Sequence, residues 1–215
     1  MNPELIQTIT ISALPLIFAI TLHEAAHGYV ASRLGDKTAW MLGRVTLNPI
    51  AHIDLVGTIL MPLATMLLGG IIFGWAKPVP INFNNLRNPK RDMLWVAVAG
   101  PGSNLIQCLL WAIIAKLALS LPGNAFTTPL YLMGRAGIEI NAVFMMLNIL
   151  PILPLDGGRV MASLLPGPLS YKYSRSEPYG LIILVLLLFT GVLGHILFPM
   201  VDASVSLIFN LFSLQ

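Results

Sequence analysis

The chain has 215 residues, of which 56% are hydrophobic and only 10% are charged, with a formal net charge of +3. Soluble proteins carry about 25% charged residues, so this low charge excludes an ordinary soluble domain. Together with a mean hydropathy of +0.82, it predicts an all-α, polytopic membrane protein. The few basic residues are scattered through short connections, which excludes a nucleic-acid surface and favours a lipid bilayer as the surroundings.

The first predicted membrane helix covers about residues 5–31 and contains the sequence His23-Glu24-Ala-Ala-His27. Two histidines four residues apart lie on one face of a helix, so both imidazoles can bind the same metal ion. Glu24 lies beside that face, where its carboxylate can take a proton from a water molecule. Ionisable side chains in apolar helices usually line a site, so the motif predicts metal-assisted peptide hydrolysis rather than two packed histidines.

A shorter apolar run follows at residues 55–73, where Gly57, Pro62 and the Gly69-Gly70 pair favour a re-entrant element over a complete span. The next segment, residues 77–82, reads Lys-Pro-Val-Pro-Ile-Asn and cannot form a helix, so it predicts a short extended segment. Two interpretations of this segment stay open. It is either an edge to which an unwound substrate adds as a strand or an ordinary proline-rich connector.

Further apolar runs of membrane length occur at residues 94–121, 136–155 and 180–198. A last apolar stretch at residues 200–214 follows Pro199 and fits either a short span or an interfacial helix. The sequence thus predicts about five to six membrane helices or segments.

These elements predict a single membrane-embedded domain over residues 1–215. Its catalytic core is expected at about residues 5–165, followed by C-terminal membrane helices at residues 180–215. The sequence does not determine the oligomeric state.

The charges of the connections predict the topology. Basic residues occur in the connections at residues 33–54, 74–92 and 156–180, whereas the connection at residues 122–128 has no charge. By the positive-inside rule, the three basic connections face the cytoplasm. We therefore expect a multi-pass protein of the cell (inner) membrane whose active site lies toward the cytoplasmic side.

A zinc site needs a third protein ligand. Val30 and Arg33 stand where the metzincin motif has glycine and histidine, which excludes that class. Glu139 is expected to pair with Arg135 near the outer boundary, and Glu177 lies in a loop, so neither is well placed as a ligand. The remaining candidates are His52, Asp54, Asp156, His195 and Asp202.

Asp156 has the most favourable context among these candidates. It ends a run from Asn148 in which Pro151 and Pro154 break the helix, and two glycines free the backbone after the carboxylate. A plain helix stop would use the same residues. Asp156 is nevertheless predicted on the same membrane face as the two histidines, so we expect it to be the third ligand.

The other candidates have weaker contexts. His52 with Asp54 forms either a second shell or gate near the zinc or a merely interfacial pair. His195 lies apart from every motif and is expected to be structural.

Together, these motifs resemble those of the site-2 protease family of intramembrane zinc metalloproteases. An H-E-x-x-H on an early membrane helix is followed far downstream by N-x-x-P-x-x-P-x-D-G-G-R, and the likeness covers roughly residues 15–165. The supporting motifs are G-R-V-T-L-N-P at 43–49, H-I-D at 52–54, G-W-A-K-P-V-P at 74–80 and A-G-P-G-S-N at 99–104. Leu55 departs from the pattern, since a proline is expected there.

The resemblance implies the compact prokaryotic branch of this family, without a PDZ or CBS domain. It implies one Zn²⁺ per chain bound by His23, His27 and Asp156, with Glu24 as the catalytic acid/base. Asn148 is implied as a second catalytic residue that hydrogen-bonds the substrate or the oxyanion. The implied partners are the lipid bilayer and a transmembrane protein or peptide that is cleaved within or near its membrane segment, and no nucleic acid.

A second class of function uses the same side chains. Intramembrane His, Asp and Glu residues also mark ion pathways, so the alternative is a metal-ion transporter or a catalytically silent membrane adaptor. Glu24 discriminates between them, because a protease needs this base and a transporter gains little from it. The sequence also lacks the paired inverted repeats of many transporters.

Overall fold

The computed structural model describes residues 3–60 and 76–214. The helices in chain order are α1 (Pro3–Arg33), α2 (Thr38–Met41), α3 (Pro89–Ser120), α4 (Thr127–Ile149), α5 (Asp156–Leu164), α6 (Gly167–Ser174), α7 (Glu177–Phe189) and α8 (Val192–Phe212). No β-strand occurs among the described residues, which confirms the predicted all-α fold.

Four of these helices, α1, α3, α4 and α8, are long and apolar enough to cross a membrane, and α7 is a shorter apolar helix. The chain is therefore a polytopic membrane protein, as its composition predicts. Short irregular turns lie between α1 and α3: 3₁₀ turns at Pro49–His52 and Phe83–Asn85, and a π-helical turn at Leu55–Leu60. The predicted re-entrant element at residues 55–73 falls mainly on residues 61–75, outside the described residues, and stays a prediction.

The segment after this gap has the predicted non-helical backbone over residues 76–82. Its ends are held by hydrogen bonds to the connection that follows α1. The Lys77 N–H donates to the carbonyl of His52 over 2.9 Å, and the Asn82 N–H donates to the Asp36 carboxylate over 2.6 Å. Arg44 also donates to the Lys77 carbonyl over 2.9 Å. Two of the basic connections therefore lie at the same end of the molecule, as predicted from their charge.

The membrane helix predicted at residues 136–155 is displaced toward the amino terminus. Helix α4 begins at Thr127 and ends at Ile149. Its first turns accommodate Arg135 through the predicted i,i+4 pair with Glu139, at 3.8 Å and half-exposed on both sides. Its end is earlier than predicted because Pro151 cannot continue the helix.

The apolar run at residues 180–198 does not form one continuous membrane helix, so that prediction is wrong. Gly191 has a φ of +77°, a conformation that favours glycine, and it separates α7 from α8. Helix α8 then continues through Pro199 to Phe212. The stretch at residues 200–214 is therefore the second part of one long helix, and neither a separate short span nor an interfacial helix.

The most extensive interhelical interface joins α3 and α4, and α1 packs against both of them. Gly134 and Gly137 of α4 lie directly against Ala115 and Trp111 of α3, where a larger residue would collide. Helix α5 packs mainly on α3. Helix α3 therefore packs against both α1, which carries the histidines, and α5, which begins at Asp156.

Candidate metal centre

Three ligand-type atoms meet at the carboxyl-terminal half of α1. The Nε2 atoms of His23 and His27 are 3.1 Å apart, and each lies close to Oδ2 of Asp156, at 3.2 Å and 3.3 Å. All three residues are buried. Among the described residues, they form the one group of His, Cys, Asp and Glu side chains arranged to hold a metal ion.

The other ring nitrogen of each histidine is bound by a carbonyl oxygen. His23 Nδ1 lies 2.6 Å from Oδ1 of Asn104, and His27 Nδ1 lies 2.7 Å from the backbone oxygen of Val96. Because a carbonyl oxygen only accepts, each Nδ1 carries a proton, so the neutral form of each imidazole has its lone pair on Nε2, facing the other two residues.

The orientation of the Asn104 amide is fixed independently of the histidine. Its Nδ2 donates to the backbone oxygen of Ala19 over 3.2 Å and to Oδ1 of Asn141 over 2.8 Å. Asn141 in turn donates to the carbonyl of Gly137 over 2.8 Å. A continuous buried chain of amides thus runs from α4 through α3 to the imidazole of His23.

This donor set fits a zinc ion. Two imidazole lone pairs and one carboxylate oxygen face one another, and Oδ2 of Asp156 is buried without a hydrogen-bond partner. Tetrahedral zinc ligands at ~2.0–2.1 Å are about 3.3 Å apart, close to the observed separations. Histidine ligands of zinc also characteristically donate their second N–H to a carbonyl or carboxylate oxygen.

Gly100 of α3 makes room for the two imidazoles. A Cβ atom at this position would lie 2.6 Å from Nε2 of His23 and still closer to Nε2 of His27. Any side chain at residue 100 would therefore displace the metal-facing atoms. Gly100 is therefore part of the site, whereas the sequence alone predicts only that it lets two helices pack closely.

The two glycines after Asp156 were expected to free the backbone, but the structure gives them another role. Gly157 and Gly158 are helical members of the first turn of α5, so they do not free the backbone. Instead, a Cβ on Gly157 would collide with the carbonyl of Ile149, and a Cβ on Gly158 would lie 2.5 Å from the Leu153 nitrogen. They let α5 pack against the preceding loop, which holds Asp156 near the histidines.

Glu24 lies on the adjacent face of α1, as its position in the motif predicts. Its Oε2 accepts a hydrogen bond of 2.8 Å from the N–H of Val79, in the extended segment at residues 76–82. Glu24 and the histidines line a cavity of about 420 Å³ whose opposite wall includes Pro78, Val79 and Pro80. The carboxylate thus lies beside the ligand group and outside it.

Asn148 also lines this cavity, and so does Arg159. The Nδ2 of Asn148 donates to the Phe144 carbonyl over 3.0 Å, which uses one of its two N–H groups. Within the described part of the chain, its second N–H and its amide oxygen have no hydrogen-bond partner. Its role as a residue that contacts the substrate stays a prediction.

The remaining candidate ligands lie apart from the three-residue group. His52 is buried and its Nε2 lies 3.1 Å from the Thr46 carbonyl, while Asp54 accepts from the Gly57 N–H over 2.6 Å. Neither lines the cavity, so the structure favours a role in the connection over a gate. His195 Nδ1 lies 2.9 Å from the carbonyl oxygen of Gly191, the residue that precedes α8, and Asp202 is exposed on α8.

Sequence reasoning missed Asn104, Val79 and the role of Gly100. Asn104 and Asn141 are uncharged polar residues inside apolar runs, a signal that could have marked them as buried hydrogen-bonding groups. Val79 offers no such signal, because its contribution is a backbone N–H.

Comparison with known proteins agrees with this arrangement. The chain is 39% identical over 201 residues to "Putative zinc metalloprotease YwhC" of Bacillus subtilis, covering 92% of this chain and 89% of the relative. It is 29% identical over 190 residues to "Putative zinc metalloprotease Rip2" of Mycolicibacterium smegmatis, covering 86% and 69%. The protein with the same description in Mycobacterium tuberculosis H37Rv is 25% identical over 189 residues, with the same coverage. No family model and no solved structure matches the chain.

Proposed function

Because this chain belongs to the site-2 protease-like family of zinc metalloproteases, we propose that it is an intramembrane zinc metalloendopeptidase. It hydrolyses peptide bonds within or near the transmembrane segments of membrane proteins and thereby performs regulated intramembrane proteolysis. The observation that carries this proposal is the meeting of His23, His27 and Asp156 beside Glu24, which is not a member of the ligand group.

In this proposal, His23, His27 and Asp156 hold one zinc ion per chain. When bound, zinc supplies a Lewis acid that polarises a carbonyl group and acidifies water. Glu24 accepts a proton from the attacking water and later passes it to the leaving amine. The free N–H of Asn148 donates to the oxygen of the scissile carbonyl, where negative charge develops.

The cavity also suggests how the substrate is presented. A helical peptide keeps its carbonyl groups in internal hydrogen bonds, so the substrate must unwind before cleavage. Pro78 and Pro80 have no N–H, while the Val79 N–H points to Glu24. An unwound substrate that adds as a strand along Val79 and Ile81 would place its backbone beside the carboxylate. Its carbonyl would replace Glu24 as the acceptor of the Val79 N–H.

The charge of the connections supports a cytoplasmic position of this site in the inner membrane. The connection after α1 contains Lys37 and Arg44, the one before α3 contains Lys77 and Arg87, and the two are joined by the Arg44 and Lys77 hydrogen bonds. The turn between α3 and α4 at the other end has no charged residue. This asymmetry follows the positive-inside rule.

The test uses detergent-purified parent protein and its Glu24→Gln variant. We expect about one zinc per chain in both by elemental analysis. We also expect cleavage of a membrane-spanning peptide with a central Gly-Pro pair to fall by roughly 10²–10⁴-fold in the variant, because the acid/base is lost. Glu139→Gln, a change of the exposed glutamate in α4, is the matched control and should retain both properties.

Two results would contradict the proposal. Cleavage by Glu24→Gln at the parental rate would remove Glu24 from the chemistry. A zinc-loaded parent that cleaves none of a panel of unwinding-prone peptides would favour the silent adaptor or the metal-ion transporter.

A further inference from the structure

A second cavity adjoins the metal centre on the other side of Asp156. It has a volume of about 500 Å³ and lies between α3, the end of α4 and α5. Ala97, Asn148 and Asp156 line both this cavity and the one that contains Glu24. We name it the side groove, and its characteristic lining residues are Gly102, Leu105, Met145, Met161 and Leu164.

The chemistry of the side groove differs from that of the catalytic cavity. Apart from Asn148 and Asp156, where the two cavities adjoin, its lining consists of apolar side chains and glycines. Leu105, Met161 and Leu164 are 44%, 37% and 65% exposed, so the groove opens to the apolar surroundings of the helices. Its volume lies in the range of ~300–1,000 Å³ typical of ligand pockets.

We propose that the side groove is a specificity pocket that receives one large apolar side chain of the substrate, next to the scissile bond. This inference rests on the proposed function. A peptide whose carbonyl lies at His23, His27 and Asp156 has its neighbouring side chain within reach of the groove, because Asn148 and Asp156 belong to both cavities. The ligand class is therefore a leucine- or phenylalanine-sized side chain of an unwound membrane segment.

The shape of the groove determines which substrate side chain is preferred. Lipid tails are as apolar as leucine, so burial alone gives little preference inside a bilayer. A groove next to the cleaved bond instead favours a side chain that fills it, through contacts that a smaller residue does not make. Alanine next to the bond leaves the groove unfilled.

Gly102 allows this proposal to be tested without disturbing the fold. A Cβ at this position would meet no atom within 4 Å, so a longer side chain can extend into the groove. The Gly102→Leu variant thus fills the groove from its α3 wall. Ile113→Phe, on the same helix at a 45% exposed residue outside the lining of the groove, adds bulk elsewhere and serves as the control.

The first measurement compares membrane-spanning peptides that differ only in the residues flanking the cleaved bond, with Ala, Val, Leu or Phe at each. For the parent, we expect kcat/KM about tenfold higher for Leu than for Ala at one flanking position. Gly102→Leu should reverse this order while it retains zinc and still cleaves the Ala peptide. Ile113→Phe should keep the parental order.

The second measurement does not depend on turnover. Peptides with a photoreactive p-benzoylphenylalanine at the same flanking position are irradiated with the Glu24→Gln variant, and the crosslinks are mapped by mass spectrometry. We expect crosslinks at Met145 or Met161 and their loss when Gly102→Leu is added. Crosslinks confined to other residues would overturn the inference.

The outcomes separate this inference from the proposed function. A parent that cleaves peptides without a side-chain preference, or a Gly102→Leu variant that slows all peptides equally, overturns the pocket and leaves the protease intact. Either of these two results would indicate that lipid fills the groove. If the parent cleaves nothing, the proposed function fails, and the crosslinks alone decide whether the groove binds peptide side chains.

Discussion

The two walls of the catalytic cavity are built from different kinds of backbone. The ligand wall consists of side chains on α1 and α5, and it is braced from α3 by Val96 and Asn104. The base wall is the non-helical segment at residues 76–82, joined to Glu24 by one backbone hydrogen bond. In the proposed function, metal binding therefore depends on the ligand wall and substrate presentation to Glu24 on the base wall, so the two can be disturbed separately.

On the ligand wall, the largest effect of a change outside the three ligands is expected from Gly100→Ala. The added methyl group would lie 2.6 Å from Nε2 of His23, so the two imidazoles must move apart. We expect zinc affinity to fall by more than the ~10–100-fold typical of outer-shell changes, with loss of cleavage. Elemental analysis after dialysis against a graded chelator measures this. Gly102→Ala, on the same helix with open space around it, is the control, and equal zinc loss in both variants would contradict the explanation.

The next largest effect is expected from Asn104→Leu, which keeps the volume but removes the acceptor of the His23 Nδ1–H. Zinc affinity should fall about 10–100-fold, because the imidazole loses the group that fixes its tautomer and orientation. The control is Gln107→Leu, one turn further along α3. Gln107 is equally buried, but its amide atoms have no hydrogen-bond partner, so its replacement should leave zinc affinity unchanged. Similar losses in both variants would point to general destabilisation.

On the base wall, Val79→Pro removes the N–H that donates to Glu24. In the proposed function the same N–H donates to the substrate carbonyl, and an ordinary hydrogen bond contributes ~0.5–1.5 kcal/mol. We therefore expect kcat/KM to fall by about 2–10-fold while zinc content stays at the parental value. Steady-state kinetics with a membrane-spanning peptide measures the change. Val79→Ala keeps the N–H and should behave as the parent. Loss of zinc in Val79→Pro would show that the two walls are coupled.

The smallest effect concerns the anchor of the base wall, Asp36, which is fully buried in the connection after α1. Burial alone would raise its pKa, but hydrogen bonds from Thr38, Asn82 and Asn85 outweigh it and hold the pKa below 3.8. A carboxyl group whose pKa is lower in the folded state stabilises the fold at any pH above its unfolded-state pKa. This contribution disappears as the pH falls through the folded-state pKa.

Accordingly, Asp36→Asn should lower the melting temperature in detergent at pH 7 by about 2–4 °C, for a loss of ~1 kcal/mol. The difference from the parent should shrink as the pH falls below 3.8, toward the lowered folded-state pKa of Asp36. Asp202→Asn, at an exposed acid of α8, should show neither effect. A difference for Asp36→Asn that stays constant as the pH falls from 7 through this range would contradict the assigned role of its charge.

The residues of the ligand wall can be predicted from the sequence more fully than the contacts of the base wall, and the reason is physical. His23, Glu24 and His27 are related by helix periodicity, and Asp156 is marked by a local pattern of prolines and glycines, so short-range rules place them. The hydrogen bonds of Asn104 and Val79 join residues 81 and 55 positions apart, and no local spacing encodes them.

The same distinction explains the errors in the fold. Hydropathy identifies α1 and α3 within a few residues, because their apolar runs end at polar connections. It does not detect the break between α7 and α8, since Gly191 lies within an apolar run and acts through its φ angle. It also misplaces α4, whose amino-terminal turns contain the Arg135–Glu139 pair.

Helix α3 has one further consequence, which concerns how such a protein can change over generations. Val96, Gly100 and Asn104 follow one another at intervals of four residues and serve the histidines, whereas Gly102 and Leu105 lie on another face and line the side groove. In the proposed function, mutations on the second face would alter which peptide side chains fit while the first face keeps the histidines in place. One helix would thus let substrate choice diverge among descendants while the ligand group is retained.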